Sequence, residues 1–177
     1  MNQELREVIM MGTLTIDKKM KLVIDLAEEG MRHGELPIAS IIFSGNDIVT
    51  QAYTTEKASG SYLVHAELKA LIAMDTLKYS YKARREMQLF TNLEPCMMCL
   101  GAVIHSFVGE IYYSIESPTD GGVVWMEKTW DENHTVSSFK PPIIYKGILE
   151  QESRDLFKKY IDINTTSSFH NWVKTLI

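Results

Sequence analysis

Apolar and polar positions along this chain switch between a helical and a strand period, and the switches divide it into a series of short elements. From Ile16 to Met31, apolar residues recur at helical spacing (Ile16, Met20, Ile24, Ala27, Met31), with Asp17 near the start and Gly34 after the end as a stop signal. Leu36 to Phe43 is a short apolar run, consistent with a strand buried on both faces. Gly45-Asn46-Asp47 is turn chemistry, and Ile48 to Tyr53 reads as the hairpin partner. Thr54 to Ser61 reads as a polar loop. A helix follows from His65 to roughly Tyr79, with Leu68, Leu71, Ile72 and Leu77 as its apolar positions. Met87 to Leu93 reads as a strand. Pro95 opens a second helix running to about Ser106, since proline is tolerated in a first turn.

Beyond it, Ile111 to Ile115 reads as a strand and Ser117 to Gly122 as a turn-rich loop. Pro142 to Leu149 and Glu150 to Ile161 read as a last strand and a last helix, and Asn164 to Ser168 as a loop. Alternation of this kind predicts an α/β fold, one mixed sheet with helices on its faces. The length, 177 residues, suits a single domain over 1–177, with its core at about 16–161. The first dozen residues read as a tail or a lead-in helix.

Composition changes this picture little. Hydrophobic residues are 45% and charged residues 23%, ordinary values for a globular chain. No apolar run reaches the length of a membrane span. Met1-Asn2-Gln3-Glu4 lacks the basic start of a signal peptide, so a cytoplasmic protein with no membrane partner is expected. The formal net charge is −5. Nucleic-acid binders usually carry a basic patch that neutralises phosphates, so the balance leans toward a small-molecule substrate without excluding RNA. Lys78, Lys82, Arg84 and Arg85 lie close together and read as a solvated helix end.

The chemistry concentrates in two segments, His65-Ala66-Glu67 and Pro95-Cys96-Met97-Met98-Cys99. Cys96 and Cys99 are the only cysteines, so no disulfide framework exists beyond one between them. Three apart, they share one helix face. A helix N-terminus favours thiolate over thiol, which prepares both sulfurs for a metal. His65 can supply a third ligand. Zinc takes imidazole and thiolate readily, and a three-ligand site keeps a position for water, as catalytic zinc sites do. Glu67 can take a proton from that water and pass it to a departing amine. Other readings compete with this one. A lone histidine is more often a satisfied core residue, a lone C-x-x-C also marks redox proteins and structural zinc clips, and Glu67 alone is an ordinary helix residue. A thiol redox protein would leave His65-Ala66-Glu67 unexplained. A non-catalytic zinc-stabilised scaffold would have lost Glu67 or gained a fourth ligand.

H-x-E followed by P-C-x-x-C is a known signature of zinc deaminases, and its match here is recognition of that pattern. On these residues, and on Leu93-Glu94-Pro95-Cys96-Met97-Met98-Cys99 continuing to Ser106 and Gly34-Glu35-Leu36-Pro37, the chain resembles the cytidine deaminase-like superfamily. Within it, the likeness is to tRNA adenosine deaminases and bacterial guanine deaminases. The resemblance implies a three-layer α/β/α sandwich with a five-stranded mixed sheet, and a homodimer with the active site near the subunit contact. It implies one zinc per chain on His65, Cys96 and Cys99, with Glu67 as proton shuttle. It implies that the backbone at Glu94 and Pro95 frames the pocket. By the same resemblance, the small Gly101 and Ala102 let the second helix pack closely under the sheet, and His105 is either a core histidine or a substrate contact.

Two positions depart from the family pattern. Thr54 stands by spacing where the family has a substrate-binding asparagine, and threonine lacks the amide fork. Ala39 stands where a glycine is common, and its methyl would crowd a base against the backbone. Thr119-Asp120-Gly121-Gly122 looks somewhat like the guanine deaminases, which use a further acidic group for the purine; Asp120 and Glu127 are the candidates here, and Trp125 reads as core or as a base-stacking ring. The expected substrate is a free purine base such as guanine, or a small nucleobase or nucleoside compound. A tRNA wobble adenosine is the alternative.

Overall fold

The computed structural model describes residues 13–130, 140–166 and 168–177. The expected lead-in over the first dozen residues lies outside that set, as does Ser167 of the expected loop 164–168. Helix α1 spans Ile16–Arg32. The hydroxyl of its N-cap, Thr15, accepts the Lys18 N–H at 3.3 Å, and Gly34, at φ +88°, turns the chain away after it. Its inner face is Met20, Val23, Ile24, Ala27 and Met31, whereas Ile16 lies in the first turn and is 43% exposed.

Strands β1 (Ala39–Ser44) and β2 (Asp47–Tyr53) form the hairpin. The first strand starts three residues later than its apolar run because Pro37 has no N–H to give a ladder. The Asn92 side chain substitutes for the missing rungs: its Nδ2 donates to the Pro37 carbonyl at 2.8 Å, and its Oδ1 accepts the Ala39 N–H at 2.9 Å. Helices α2 (Glu56–Ser59) and α3 (Ala66–Thr76) follow. The face that α3 buries is Ala66, Glu67, Ala70, Leu71 and Met74. Of the four apolar positions expected there, only Leu71 is fully buried; Ile72 and Leu77 are 60% and 52% exposed. The helix ends before Leu77, and its small alanines let it lie close on the sheet.

Helix α4 (Tyr81–Arg85), β3 (Met87–Leu93), α5 (Met97–His105) and β4 (Glu110–Ile115) come next. Then come α6 (Val123–Thr129), β5 (Ile143–Tyr145), α7 (Glu150–Ile163) and α8 (His170–Val173). The strand expected over 142–149 is confined to Ile143–Tyr145, because Gly147 (φ +76°) and Leu149 (φ +50°) bend the chain into α7. Among the described residues no helix is long and apolar enough to cross a membrane.

The sheet has five strands in the order β2-β1-β3-β4-β5. β1 is antiparallel to both neighbours, while β3/β4 and β4/β5 are parallel. The two faces bury separate cores, with successive side chains on opposite sides. On one face Ile41, Phe43, Phe90 and Tyr112 pack under α1 and α7. On the other Ile42, Leu89, Ile111 and Tyr113 pack under α3, α5 and α6. The fold is thus a mixed sheet between two helical layers. The pairings Ala39↔Tyr53 and Leu93↔Ile115 put the start of β1 and the ends of β2, β3 and β4 at one edge of the sheet. The loops that leave this edge build the site, as is usual at strand carboxyl ends in α/β sheets.

Candidate active site

Two helices point their first turns at one spot on that edge. His65 is the N-cap of α3 and Cys96 the N-cap of α5, both with extended backbone, so their side chains project ahead of the helix axes. The helix carbonyls start at these residues: Lys69 N–H donates to His65 O at 3.0 Å and Leu100 N–H to Cys96 O at 2.8 Å. Cys99, one turn into α5, is fully buried. His65 Nδ1 lies 3.6 Å from Cys96 Sγ and 3.5 Å from Cys99 Sγ. The three ligand atoms lie within 4.8 Å of one another, and among the described residues they form the metal-competent group. A tetrahedral zinc with ordinary Zn–S and Zn–N bonds holds sulfur and nitrogen about 3.6 Å apart. The donor set and its spacing therefore fit a single zinc.

Hydrogen bonds among these side chains, with their burial, polarise this group. The Cys96 thiol is held down at about 4, chiefly by the hydrogen bond with Cys99 and further by that with His65. His65 is pushed up to about 9 by its bond with Cys96, against its own burial. Cys99 goes the other way, raised by its bond to Cys96 and by burial. Glu67, 3% exposed, sits in the first turn of α3. Burial raises its carboxyl above the ordinary carboxylate range. Its Oε1 accepts from Thr91 Oγ1 at 3.1 Å, which aims the group from the helix toward the end of β3.

A cavity of about 420 Å³ opens over these residues. Around them its walls come from Leu36 and Ile38, Thr54 and Glu56, Leu93, Glu94 and Cys96, Thr119 and Asp120, and Phe169 and Trp172 at the start of α8. The walls are mostly apolar, with a few polar groups converging near His65, as expected of a small-molecule site.

The model of the cytidine and deoxycytidylate deaminase zinc-binding region matches residues 14–115, more than half of the chain, and this span includes all three ligand positions and Glu67. The chain belongs to this family. As a member of this deaminase family it is a hydrolase of C–N bonds. Relatives in sequence include the tRNA-specific adenosine deaminase of Rickettsia bellii (strain RML369-C), 26% identical over 143 residues, which are 80% of this chain and 96% of that one. The tRNA-specific adenosine deaminase of Aquifex aeolicus (strain VF5) is 28% identical over 66% of this chain and 79% of its own length. Among solved structures, a guanine deaminase from Nitrosomonas europaea is similar in fold, with a TM-score of 0.65 at 20% identity, covering 90% of this chain and 93% of its own. A tRNA:A34 deaminase matches with a TM-score of 0.62 at 22% identity over 77% of this chain and 96% of its own.

The remaining residues singled out in the sequence fall on both sides of the cavity wall of this deaminase. Thr54 is on the wall and 1% exposed; its hydroxyl faces the Val64 carbonyl at 3.3 Å and Glu56 Oε2 at 3.5 Å. Glu94 lines the wall, but both its carboxylate oxygens are engaged: one accepts the Ser117 N–H and the other the Val123 N–H, each at 2.9 Å. It pins the loop that carries Thr119 and Asp120. A Cβ at Gly121 would run into that carboxylate, and Glu94 could make room only by loosening its hold on Ser117 and Val123. Asp120 lines the cavity, with Oδ1 accepting from the Ser117 and Thr119 hydroxyls.

Pro95 and Ala39 do not line it; the Pro95 carbonyl accepts the Gly122 N–H at 2.9 Å, and Ala39 is buried in the core beneath α1 and α7. Glu127 points elsewhere and pairs with Lys146 at 3.1 Å. Trp125 is 60% exposed, so it is neither core nor wall. His105 is exposed at the far end of α5, in a different hollow with Leu71 and Ile72. Gly101 also faces outward, with nothing within 4 Å of a Cβ there, so it does not serve close packing under the sheet. Sequence reasoning missed Glu56, Phe169 and Trp172. The two aromatics three apart were a visible signal of a helix face; Glu56 in a polar loop carried none.

Proposed function

We propose that this chain is a hydrolytic deaminase of a small nucleobase compound, with a free purine base such as guanine as the leading substrate, acting in the cytoplasm. The observation that carries the small-substrate reading is the roof that the chain puts on its own cavity. Phe169 and Trp172 reach over the site from α8, and Trp172 Nε1 donates to Thr119 Oγ1 at 3.0 Å, latching the helix to the opposite loop. Flat aromatic walls suit a planar base.

His65, Cys96 and Cys99 would hold the zinc, which when bound supplies a Lewis acid that brings water toward ionisation at neutral pH. Glu67 takes a proton from the attacking water and carries it to the leaving nitrogen. Water adds across the C=N bond of the amidine, its second proton ending on the ring nitrogen; the exocyclic C–N bond then breaks and ammonia departs, leaving a carbonyl. The raised affinity of Glu67 for a proton suits a group that must hold it between the two transfers. Thr54, Thr119 and Asp120 face the substrate, and Glu94 acts through the loop it pins.

The names of the sequence relatives favour a second reading, a tRNA wobble adenosine. Such an enzyme needs a surface that tracks phosphates. In the one basic cluster noted in the sequence, Arg84 pairs with Asp75 at 2.7 Å, and Arg85 donates to the Val108 and Lys140 carbonyls. The groove of Met97, Ile104 and Trp125 on the outer face of α5 and α6 supports a homodimer, which sedimentation would detect.

An ammonia-release screen over guanine, adenine, cytosine, their nucleosides and a tRNA anticodon stem-loop decides between the two readings. Turnover of a free base without turnover of the stem-loop is expected. Release from the stem-loop alone, with affinity falling steeply as salt rises, would replace the first reading by the second.

A further inference from the structure

The imidazole of His65 has two ends, and only one faces the sulfurs. With Nδ1 turned to Cys96 and Cys99, Nε2 points the other way, where Glu56 Oε1 stands 3.6 Å from it. That carboxylate is not a loose surface group. Its side chain is 13% exposed and lines the cavity. It sits on the first residue of α2, and that turn is itself held from below. Glu35, 2% exposed, accepts the Ala58 N–H on Oε1 at 2.8 Å and the Lys57 N–H on Oε2 at 3.0 Å. From the side, Lys69 Nζ of α3 donates to the Tyr53 carbonyl at 2.8 Å and to Thr55 Oγ1 at 3.1 Å. A buried carboxylate therefore anchors a four-residue helix whose first side chain faces the free edge of the histidine.

We propose that Glu56 is a positioning residue of the metal centre, taking the Nε2–H of His65 so that Nδ1 is kept as the ligating nitrogen, with Glu35 holding Glu56 in place. The proposal rests on the reading of His65 as a zinc ligand. A separation of 3.6 Å is an electrostatic contact longer than a formed hydrogen bond, and a small turn of the carboxylate closes it. The physical need is general: a ligating histidine donates its other N–H to an acceptor, which sets the tautomer and makes the ring a better donor to the metal. The ring can satisfy that need locally through Glu56, nine residues upstream in sequence and across a loop.

The test is zinc affinity in the full-length chain, measured by competition with a chromogenic chelator for the wild type, Glu56→Ala, Glu56→Gln, Glu35→Gln, His65→Ala and Cys96→Ser. Glu56→Ala should bind zinc roughly 10- to 100-fold more weakly. Glu56→Gln keeps a carbonyl oxygen to accept the Nε2–H and should recover most of that loss, which a merely structural role would not predict. Glu35→Gln should show a smaller loss in the same direction. If Glu56→Ala binds zinc within twofold of wild type while His65→Ala and Cys96→Ser release it, Glu56 has no such role and the ligand assignment stands. If His65→Ala keeps its zinc, the ligand assignment itself is wrong, and the proposal falls with it. Should Glu56→Ala fail to fold, Glu56→Leu takes its place, filling similar space with no acceptor for the Nε2–H: a loss of similar size is expected, and zinc affinity within twofold of wild type would overturn the proposal.

Discussion

The Glu67 carboxyl accepts from the Thr91 hydroxyl and also bonds its own backbone N–H and the Cys99 thiol, at the wall of the cavity. A carboxylate buried to this degree is costly to keep charged, and the cost is met where the charge is used. Glu67→Ala should lower ammonia release by at least about 10²-fold, the scale of a lost general acid–base group, and leave one zinc bound. Turnover assays with parallel metal analysis check this; near-normal turnover would remove Glu67 from the chemistry. His65, Cys96, Cys99 and Glu67 were legible in the sequence because each lies within a turn of a helix start, where local spacing alone decides what faces what. Glu94 was legible as a residue but not as a function. Its oxygens are both taken by N–H groups more than twenty residues away, and no local pattern announces that. Glu56 was not legible at all, since its importance lies in being opposite His65 after the chain has folded back.

At the scale of elements, the longer helices and strands β1 to β4 formed close to where their hydrophobic patterns put them, although α3 buries its alanines in place of most of the expected positions and β5 shrinks to three residues. The helices that did not are those of four to seven residues: α2, α4, α6 and α8. An element of one or two turns shows too few positions for a 3.6-residue period, and its stability comes from packing. Two of these short helices, α2 and α8, carry cavity residues. Trp172→Ala should remove the latch to Thr119 and one aromatic wall, raising KM roughly two- to twelvefold, from a ring contribution of about 0.5–1.5 kcal/mol, with kcat much less affected. Steady-state kinetics on the best substrate of the screen checks it; unchanged KM would place substrate away from α8.

The outer helical layer makes a separate, weaker prediction. Lys159 of α7 reaches Glu28 of α1 at 2.6 Å. Its hydrogen bond, with its charge, holds the Glu28 carboxyl below the usual value. A lowered carboxylate stabilises the fold above its unfolded pKa and loses that effect as pH falls through the folded value. Lys159→Ala should therefore cost about 0.2–1 kcal/mol at neutral pH, the range of an exposed pair, and nothing at a pH where Glu28 is protonated. Urea unfolding at both pH values reads the difference; an equal loss at both would assign it to packing of the lysine stem.

For the whole molecule, the fold gathers at one sheet edge what the sequence scatters. Leu36, Thr54, Glu94, Asp120 and Trp172 meet around one cavity because β1 starts, and β2, β3 and β4 end, on the same side. The strand order that does this depends on pairings between distant segments, which is why the cavity walls were read only in part, at Thr54, Glu94 and Asp120 through the family resemblance, while the metal group was legible from local spacing. All of the deaminase chemistry depends on that metal group. X-ray absorption at the zinc edge, on the purified protein with its metal content counted, tests it most directly. One zinc per chain is predicted, with two sulfur neighbours at about 2.3 Å and two nitrogen or oxygen neighbours at about 2.0–2.1 Å. A spectrum with no sulfur neighbours, or a protein that takes up no zinc, would contradict the account.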